Sequence, residues 1–366
     1  MNLHKRHSAF GMGGFSLVEL MVGLVIGLVA IVLVAQVFAL SEGSKRTTTS
    51  GNDAQTTGAV ALMTLQRDIR QAGYGITNAA VVGCDVRILP AGWVISNLAP
   101  VIINHANIPA GDNNTDTLTI AYGGGTGSSD GDRVITQPVG VSTTFSVTTP
   151  TSFNLNDQVL AAVNPRPNVC TATMEKVTAI TPSPNIQVAN GTANMTDGTL
   201  FNLGQSPQVR VYAIRKGALT VCDYLAHDCS SAASAVDPDP AVWVPIADNV
   251  VSLRAQYAQD TTHPGDAVAD SYDQVTPPID SAGIACAWTR ILGLRVALVS
   301  RSNQMDKQLV TFASPPWSGA SAVPIVLSGN ASWQNYRYRS YEATIPVRNM
   351  AWQAAQAASG VPASCP

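Results

Sequence analysis

Residues Leu20 to Leu40 form an apolar run whose one strongly polar member is Gln36. At the helical rise of about 1.5 Å per residue the run is about 30 Å long, one hydrocarbon core, and it reads as a single membrane span. Ahead of it, "MNLHKRHSAFGMGG" carries Lys5 and Arg6 and no acidic residue. The positive-inside bias keeps this leader in the cytoplasm and sends the rest of the chain outward, although Lys45 and Arg46, beside Glu42, weaken the asymmetry. Directly before the run stands Glu19. A lone carboxylate in a span costs up to a few kcal/mol and needs a partner, which a bundle of identically oriented helices can supply.

A secretory signal has its small-residue cleavage site after the apolar region, and no A-x-A site stands in a suitable place. The small residues lie before it. Gly13 and Gly14 give an unobstructed backbone suited to a protease active site, and a cut after Gly14 leaves Phe15 as the new N-terminus with the span retained. The string "GFSLVEL" (Gly14 to Leu20) resembles the type III signal of type IV pilins and of the related type II secretion pseudopilins. In that family a membrane-embedded aspartyl prepilin peptidase cuts after the glycine, methylates the new amine on the phenylalanine and leaves a glutamate as the fifth mature residue. The resemblance places these roles on Gly14, Phe15 and Glu19, with Glu19 neutralising the N-terminal ammonium of a staggered neighbour. The plainer alternative is a signal anchor whose Glu19 snorkels to the headgroups.

Beyond the span, composition favours short strands. The hydrophobic content of 46% fills a core, while 29 Gly and 22 Pro spread among Thr, Ser and Asn suit strands and turns. A net charge of -3 with 12% charged residues offers no basic face for nucleic acid and no acidic tail. Residues 41–58 are polar and poor in helix formers, and Thr47 to Thr49, Gly51 and Gly58 predict a break or fraying near 42–58. In "AVALMTLQRDIRQAGYG", Leu62, Leu65, Ile69 and Ala72 recur at helical spacing with Arg67, Asp68 and Arg70 turned away, and Gly73 and Gly75 end the helix. "NVVSLRAQYAQ" alternates Val251, Leu253, Ala255 and Tyr257 with Ser252, Arg254 and Gln256, a half-buried strand. "TLTIAYGG" reads likewise, and Lys216-Gly217 between two apolar runs marks a hairpin.

The segments "LQRDIRQAGYG", "VRVYAIRKGALTVC", "IADNVVSLRAQYAQD", "ILGLRVALVSRS" and "YRYRSYEATIPVRNM", in this order, resemble the PilW family of type IV pilus minor pilins. The resemblance implies an α+β, pilin-like fold, in which a long N-terminal helix, membrane-spanning and then amphipathic, packs on an antiparallel β-sheet head. The implied divisions are a prepilin leader (1–14), a transmembrane and filament-core segment (15–40), a polar link and amphipathic helix (41–75) and a periplasmic head (76–366). Residues 76–205 fall outside the resemblance and read as an insertion region of loops or a second β subdomain.

Six cysteines, Cys84, Cys170, Cys222, Cys229, Cys286 and Cys365, show no C-x-x-C pair. In the oxidising compartment that the span implies, Cys222 and Cys229 read as a small-loop disulfide rather than a partial metal site with His227, and the other four can pair in three ways. "GGGTGSSDGDR" lacks the G-K-[ST] of a phosphate loop and reads as a hairpin loop. The Asp-rich "GDNNTDT" and "SDGDR" lack calcium-loop spacing and read as surface turns. "SWQNYRYRSYE" interleaves aromatics with Arg337 and Arg339, a pattern that can stack single-stranded nucleic acid, but it falls on a predicted closing strand and no nucleic-acid partner is expected. No catalytic constellation, metal or cofactor is nominated, so an enzyme is not expected.

The two resemblances together imply a minor pilin of the initiation or tip complex of a type IV pilus. Its expected partners are other minor pilins, the major pilin, prepilin peptidase, the inner-membrane assembly machinery and a tip adhesin. It would reside in a bacterial inner membrane as a single-pass protein before entering the pilus. The alternatives are a type II secretion minor pseudopilin and an adhesin or ligand-binding module on a pilin stem.

Overall fold

The structure, a computed structural model, describes residues 14, 16–78, 80–89, 91–125, 131–181, 184–231, 238–262, 266–277 and 284–350. Two units divide the chain, Met1–Asn52 and Asp53–Pro366. Helix α1 (Leu17–Gln71) begins after Ser16, whose carbonyl accepts from the Glu19 and Leu20 amides at 3.0 and 3.1 Å. In the first unit its segment Leu17–Gly43 is long and apolar enough to cross a membrane, and none of it is buried. The break expected within 42–58 is absent, since α1 is hydrogen-bonded through to Gln71. Gly58 has a packing use instead, because an added Cβ there would overlap the ring of Tyr341 and lie 2.9 Å from Ser300 Oγ.

In the second unit α1 buries Ala54, Gly58, Ala61, Leu65, Asp68 and Ile69, with Ala72 buried just past its end, and exposes Val60, Met63, Arg67 and Arg70. Asp68 departs from the sequence expectation, being fully buried rather than turned away. The reason is helical spacing: Ala61, Leu65, Asp68 and Ala72 follow one another at steps of four, three and four and share one stripe. Gly73, at φ +84°, ends the helix. The Asn349 amide donates to the Gln71 and Ala72 carbonyls at 3.1 and 3.0 Å, capping the last turn from the far end of the chain.

Strands β1 (Asp85–Ile88) and β2 (Val94–Ile95) form a small hairpin, and β3 (Val101–Ile103) and β4 (Leu118–Tyr122) follow. The chain then makes β5 (Asp132–Thr136), β6 (Ser142–Val147), β7 (Gln158–Ala162), β8 (Thr171–Ile180), β9 (Asn185–Thr192) and β10 (Thr199–Gly204). These six close on themselves in the order β8-β7-β10-β5-β6-β9, with β9 returning to β8, and every pair is antiparallel. Val134, Phe145, Val147, Val159, Val177, Ile186 and Leu200 fill the interior of this barrel. The β1–β2 hairpin adds to it through a parallel pairing of β1 with β8.

The barrel is spliced between neighbours. Strand β4 pairs with β11 (Gln208–Arg215), which continues into β12 (Ala218–Asp223) and β13 (Val244–Asp248). The result is a five-stranded antiparallel sheet in the order β13-β12-β11-β4-β3. Lys216 and Gly217 turn between β11 and β12 with φ of +51° and +72°, the left-handed pair that a tight hairpin requires. Asn249, at φ +57°, passes the chain from β13 to β14 (Val250–Gln259), and β15 (Ser271–Asp273), α2 (Ile284–Thr289), β16 (Ile291–Arg301) and β17 (Tyr338–Pro346) complete the fold. The second sheet runs β15-β14-β16-β17, antiparallel throughout.

One core lies between α1 and both sheets, where Leu65 and Ile69 meet Ile120, Tyr212, Leu253, Val296 and Ile345. The opposite face of β11, with Val209, Val211 and Ala213, packs on the outside of the barrel through Leu160, Met174 and Phe201. Strand β14 is buried on both faces rather than half-buried, because residues 302–337 lay Trp317, Val323, Ile325 and Leu327 over its second face and that of β16. Strand β4, which the sequence marks as alternating, is also wholly buried, with Leu118, Ile120 and Tyr122 in the core under α1 and Ala121 on the barrel side.

Candidate assembly site

The residues singled out by the sequence fall in separate places. Gly14 and Glu19 are exposed near the start of α1, and Phe15 lies outside the described residues. Ser16 and Glu19 stand at S-x-x-E spacing around the first turn, where a carboxylate is also favoured by the helix dipole. Glu19 therefore has a local stabilising role besides any intermolecular one. From Leu17 to Leu40 the large apolar side chains of α1 are all exposed, with Val32 the least so at 49%.

The cysteines are spread through the second unit. Cys222 is bonded to Cys229 and Cys84 to Cys170, and all but Cys170 are fully buried. The first bond occupies both sulfurs that flank His227, so they offer no thiolate to a metal. The side chain of Cys286, and Cys365 altogether, lie outside the described residues. Of the Asp-rich stretch at 111–117, Asp112 accepts from the Lys216 and Gly217 amides at 2.9 and 2.8 Å, pinning the β11–β12 turn. Asp116 is not on a surface turn at all. It is buried, pairs with Arg254 at 3.2 Å and accepts from the Ala255 amide and Gln274 at 3.0 and 2.7 Å, tying the two sheets together.

The residue that sequence reasoning missed is Asp68. From α1 it reaches Arg210 Nη1 at 2.9 Å and Tyr212 Oη at 2.5 Å on β11, Tyr122 Oη at 3.2 Å on β4, and its neighbour Arg67 Nε at 3.4 Å. Both carboxylate oxygens are thus filled by donors from the sheet, which is what a buried charge demands. Burial, reinforced by the Asp68 charge, pushes the Tyr122 hydroxyl up to about 12. Burial and the hydrogen bond to Asp68 raise Tyr212 further. Burial works to lower Arg210, but the charge of Asp68 outweighs it and holds the guanidinium above its ordinary value. A second set of ties lies along the helix, where Ser300 Oγ donates to the Ala54 carbonyl at 2.7 Å and Tyr341 Oη to the Gln55 carbonyl at 2.9 Å.

These ties come largely from one stretch of sequence, beginning at Tyr212 and ending at Asn349. Residues 212–349 match PilW, the type IV pilus-assembly protein W family. No curated protein and no solved structure matches the chain. The PilW-matched stretch contains Tyr212, Ser300, Tyr341 and Asn349, which grip α1 at its flank and its end. It stops short of α1 itself, of Arg210 and of the barrel. The aromatic and arginine cluster near its end is used internally: Tyr338 and Trp333 pack on the core under residues 302–337, and Arg337 pairs with Asp306 at 3.0 Å.

Proposed function

We propose that the chain is a type IV pilus minor pilin, a structural subunit of the initiation or tip complex. The observation that carries this reading is the union, in one chain, of a PilW-matched stretch that grips α1 with an exposed apolar N-terminal segment of that same helix. Prepilin peptidase cuts between Gly14 and Phe15, the phenylalanine amine is methylated, and Glu19 neutralises the amine of an adjacent subunit to set axial register. The subunit works by shape and stagger, presenting helix and sheet faces to other minor pilins and to the major pilin.

Mass spectrometry of the membrane form tests the processing step. The expected N-terminus is N-methylated Phe15, and an uncut Met1 start or a cut beyond Leu40 would remove the pilin reading. Glu19→Ala is expected to leave cleavage intact and to reduce recovery of the protein in sheared pili by about ten-fold or more, equivalent to about 1.4 kcal/mol. A deletion strain that loses exoprotein secretion while retaining surface pili would move the protein to the secretion pseudopilins.

A further inference from the structure

The sheets differ in how they end. In the five-stranded sheet, edge strand β13 carries Pro245 at its second position and the opposite edge, β3, has three residues. In the four-stranded sheet β15 also has three residues, but the other edge, β17, runs for nine and pairs only with β16 among the described residues. The register decides which of its groups are free. Ser302 N donates to Arg337 O at 2.8 Å and Val347 N to Leu292 O at 3.0 Å, and no bulge interrupts the pairing between them. The odd-numbered residues of β17 therefore bond to β16, and the N–H and C=O groups of Tyr338, Ser340, Glu342 and Thr344 point away from the sheet. Pro346 agrees with this, since its missing N–H falls on the outward side.

The apolar core is unfinished along the same flank. Four half-buried apolar residues rim the core between α1 and the sheets, and three of them, Leu62, Tyr341 and Ala343, belong to β17 and the side of the helix facing it. Arg339, on the same side of β17 as Tyr341, is exposed and makes no ion pair among the described residues. A long row of open backbone groups beside a partly covered apolar rim fits an added strand better than a flat side-chain contact.

We propose that β17 accepts a further β-strand from a neighbouring polypeptide of the pilus assembly, apolar where it faces Leu62, Tyr341 and Ala343 and acidic where it passes Arg339. The proposal rests on the reading of the chain as a pilus subunit. Its test is hydrogen exchange at residue resolution on the purified full chain in detergent and on the same chain in sheared pili. The Ser340, Glu342 and Thr344 amides are expected to exchange freely in the purified chain and at least about ten-fold more slowly in the assembly. Ser340→Pro and Thr344→Pro remove outward donors only, so both are expected to keep the purified fold while lowering recovery in pili. Ala343→Pro is the folding control, because it breaks a bond to β16.

Equal exchange in the two states overturns the proposal, as does full recovery of both outward proline variants. Protection that grows with concentration of the pure chain identifies a second copy as the occupant and overturns the heterologous strand. Failure to find the wild-type chain in pili overturns this proposal and the pilin reading together. Its presence there with an unprotected β17 overturns the strand alone.

Discussion

Asp68 holds four donors at once, and removing its charge leaves Arg210, with 28% of its side chain exposed, without a carboxylate partner. Breaking a buried pair by deleting one partner costs about 3–5 kcal/mol, and the partial exposure of Arg210 places Asp68→Ala near the lower end. Asp68→Asn keeps the hydrogen-bonding shape and is expected to cost about 2 kcal/mol, read from the urea midpoint of the full chain. Arg210→Gln added to Asp68→Asn should recover part of that loss, because the orphaned cation is gone. The tyrosines give the same site a pH signature. A hydroxyl whose folded pKa is raised is stabilised in its neutral form, so its contribution is complete below the unfolded value near 10 and is lost as pH rises through the folded value. For Tyr122 that window runs from about 10 to about 12. Thermal midpoints should fall across it, and Tyr122→Phe, which has no proton to lose, should flatten the decline relative to wild type.

At the scale of elements, the approach of α1 to β17 depends on one missing side chain. A Cβ at position 58 would meet the Tyr341 ring and Ser300 Oγ, which themselves bond the helix backbone at Gln55 and Ala54. Gly58→Val therefore combines overpacking with loss of two ties and is expected to destabilise by about 2–3 kcal/mol, measured by denaturant unfolding. Tyr341→Ala should absorb most of the added volume, so the double variant should lose less than the sum of the singles. The same position shows what a linear reading can and cannot reach. Glycine in a helix argues for a break only while its neighbours in space are unknown, and the partner here is 283 residues away in the sequence. The apolar run from Leu20, the Lys216-Gly217 hairpin and the strands β11, β14 and β17 were legible because local pattern fixes them. The charge of Asp68 argues for the surface, but its position in the stripe of Ala61, Leu65 and Ala72 places it in the core. The burial of Arg254 and Gln256 was hidden for a related reason: the cover over β14 comes from an irregular segment with no periodicity to reveal it.

Across the second unit, the barrel depends on closures that local sequence does not announce. Its strands bend at irregularities between Val134 and Thr136, Ser142 and Thr144, Val177 and Ala179, and Asn202 and Gly204, which let the sheet curl until β9 meets β8. Residues 76–205 hence read in sequence only as an insertion of loops or a second β subdomain, and the barrel's outer face, by packing on β11, joins the head's second core rather than standing off it. The Cys84–Cys170 bond spans 86 residues at the join, where the Asp85 amide also donates to the Cys170 carbonyl at 2.9 Å. Cys222–Cys229 spans only 7 and restrains a single turn after β12. By loop entropy alone the long bridge is worth about 4–5 kcal/mol and the short one about 2 kcal/mol. Replacing Cys84 and Cys170 together by serine should therefore lower the thermal midpoint of the full chain clearly more than replacing Cys222 and Cys229. The damage should also differ in place: hydrogen exchange should quicken first across β1, β2 and the start of β8 in the former, and stay confined to residues 222–229 in the latter. Equal losses from the two double variants would show that the barrel is held to the head by its apolar face on β11, and that the long bridge adds nothing the packing does not already supply.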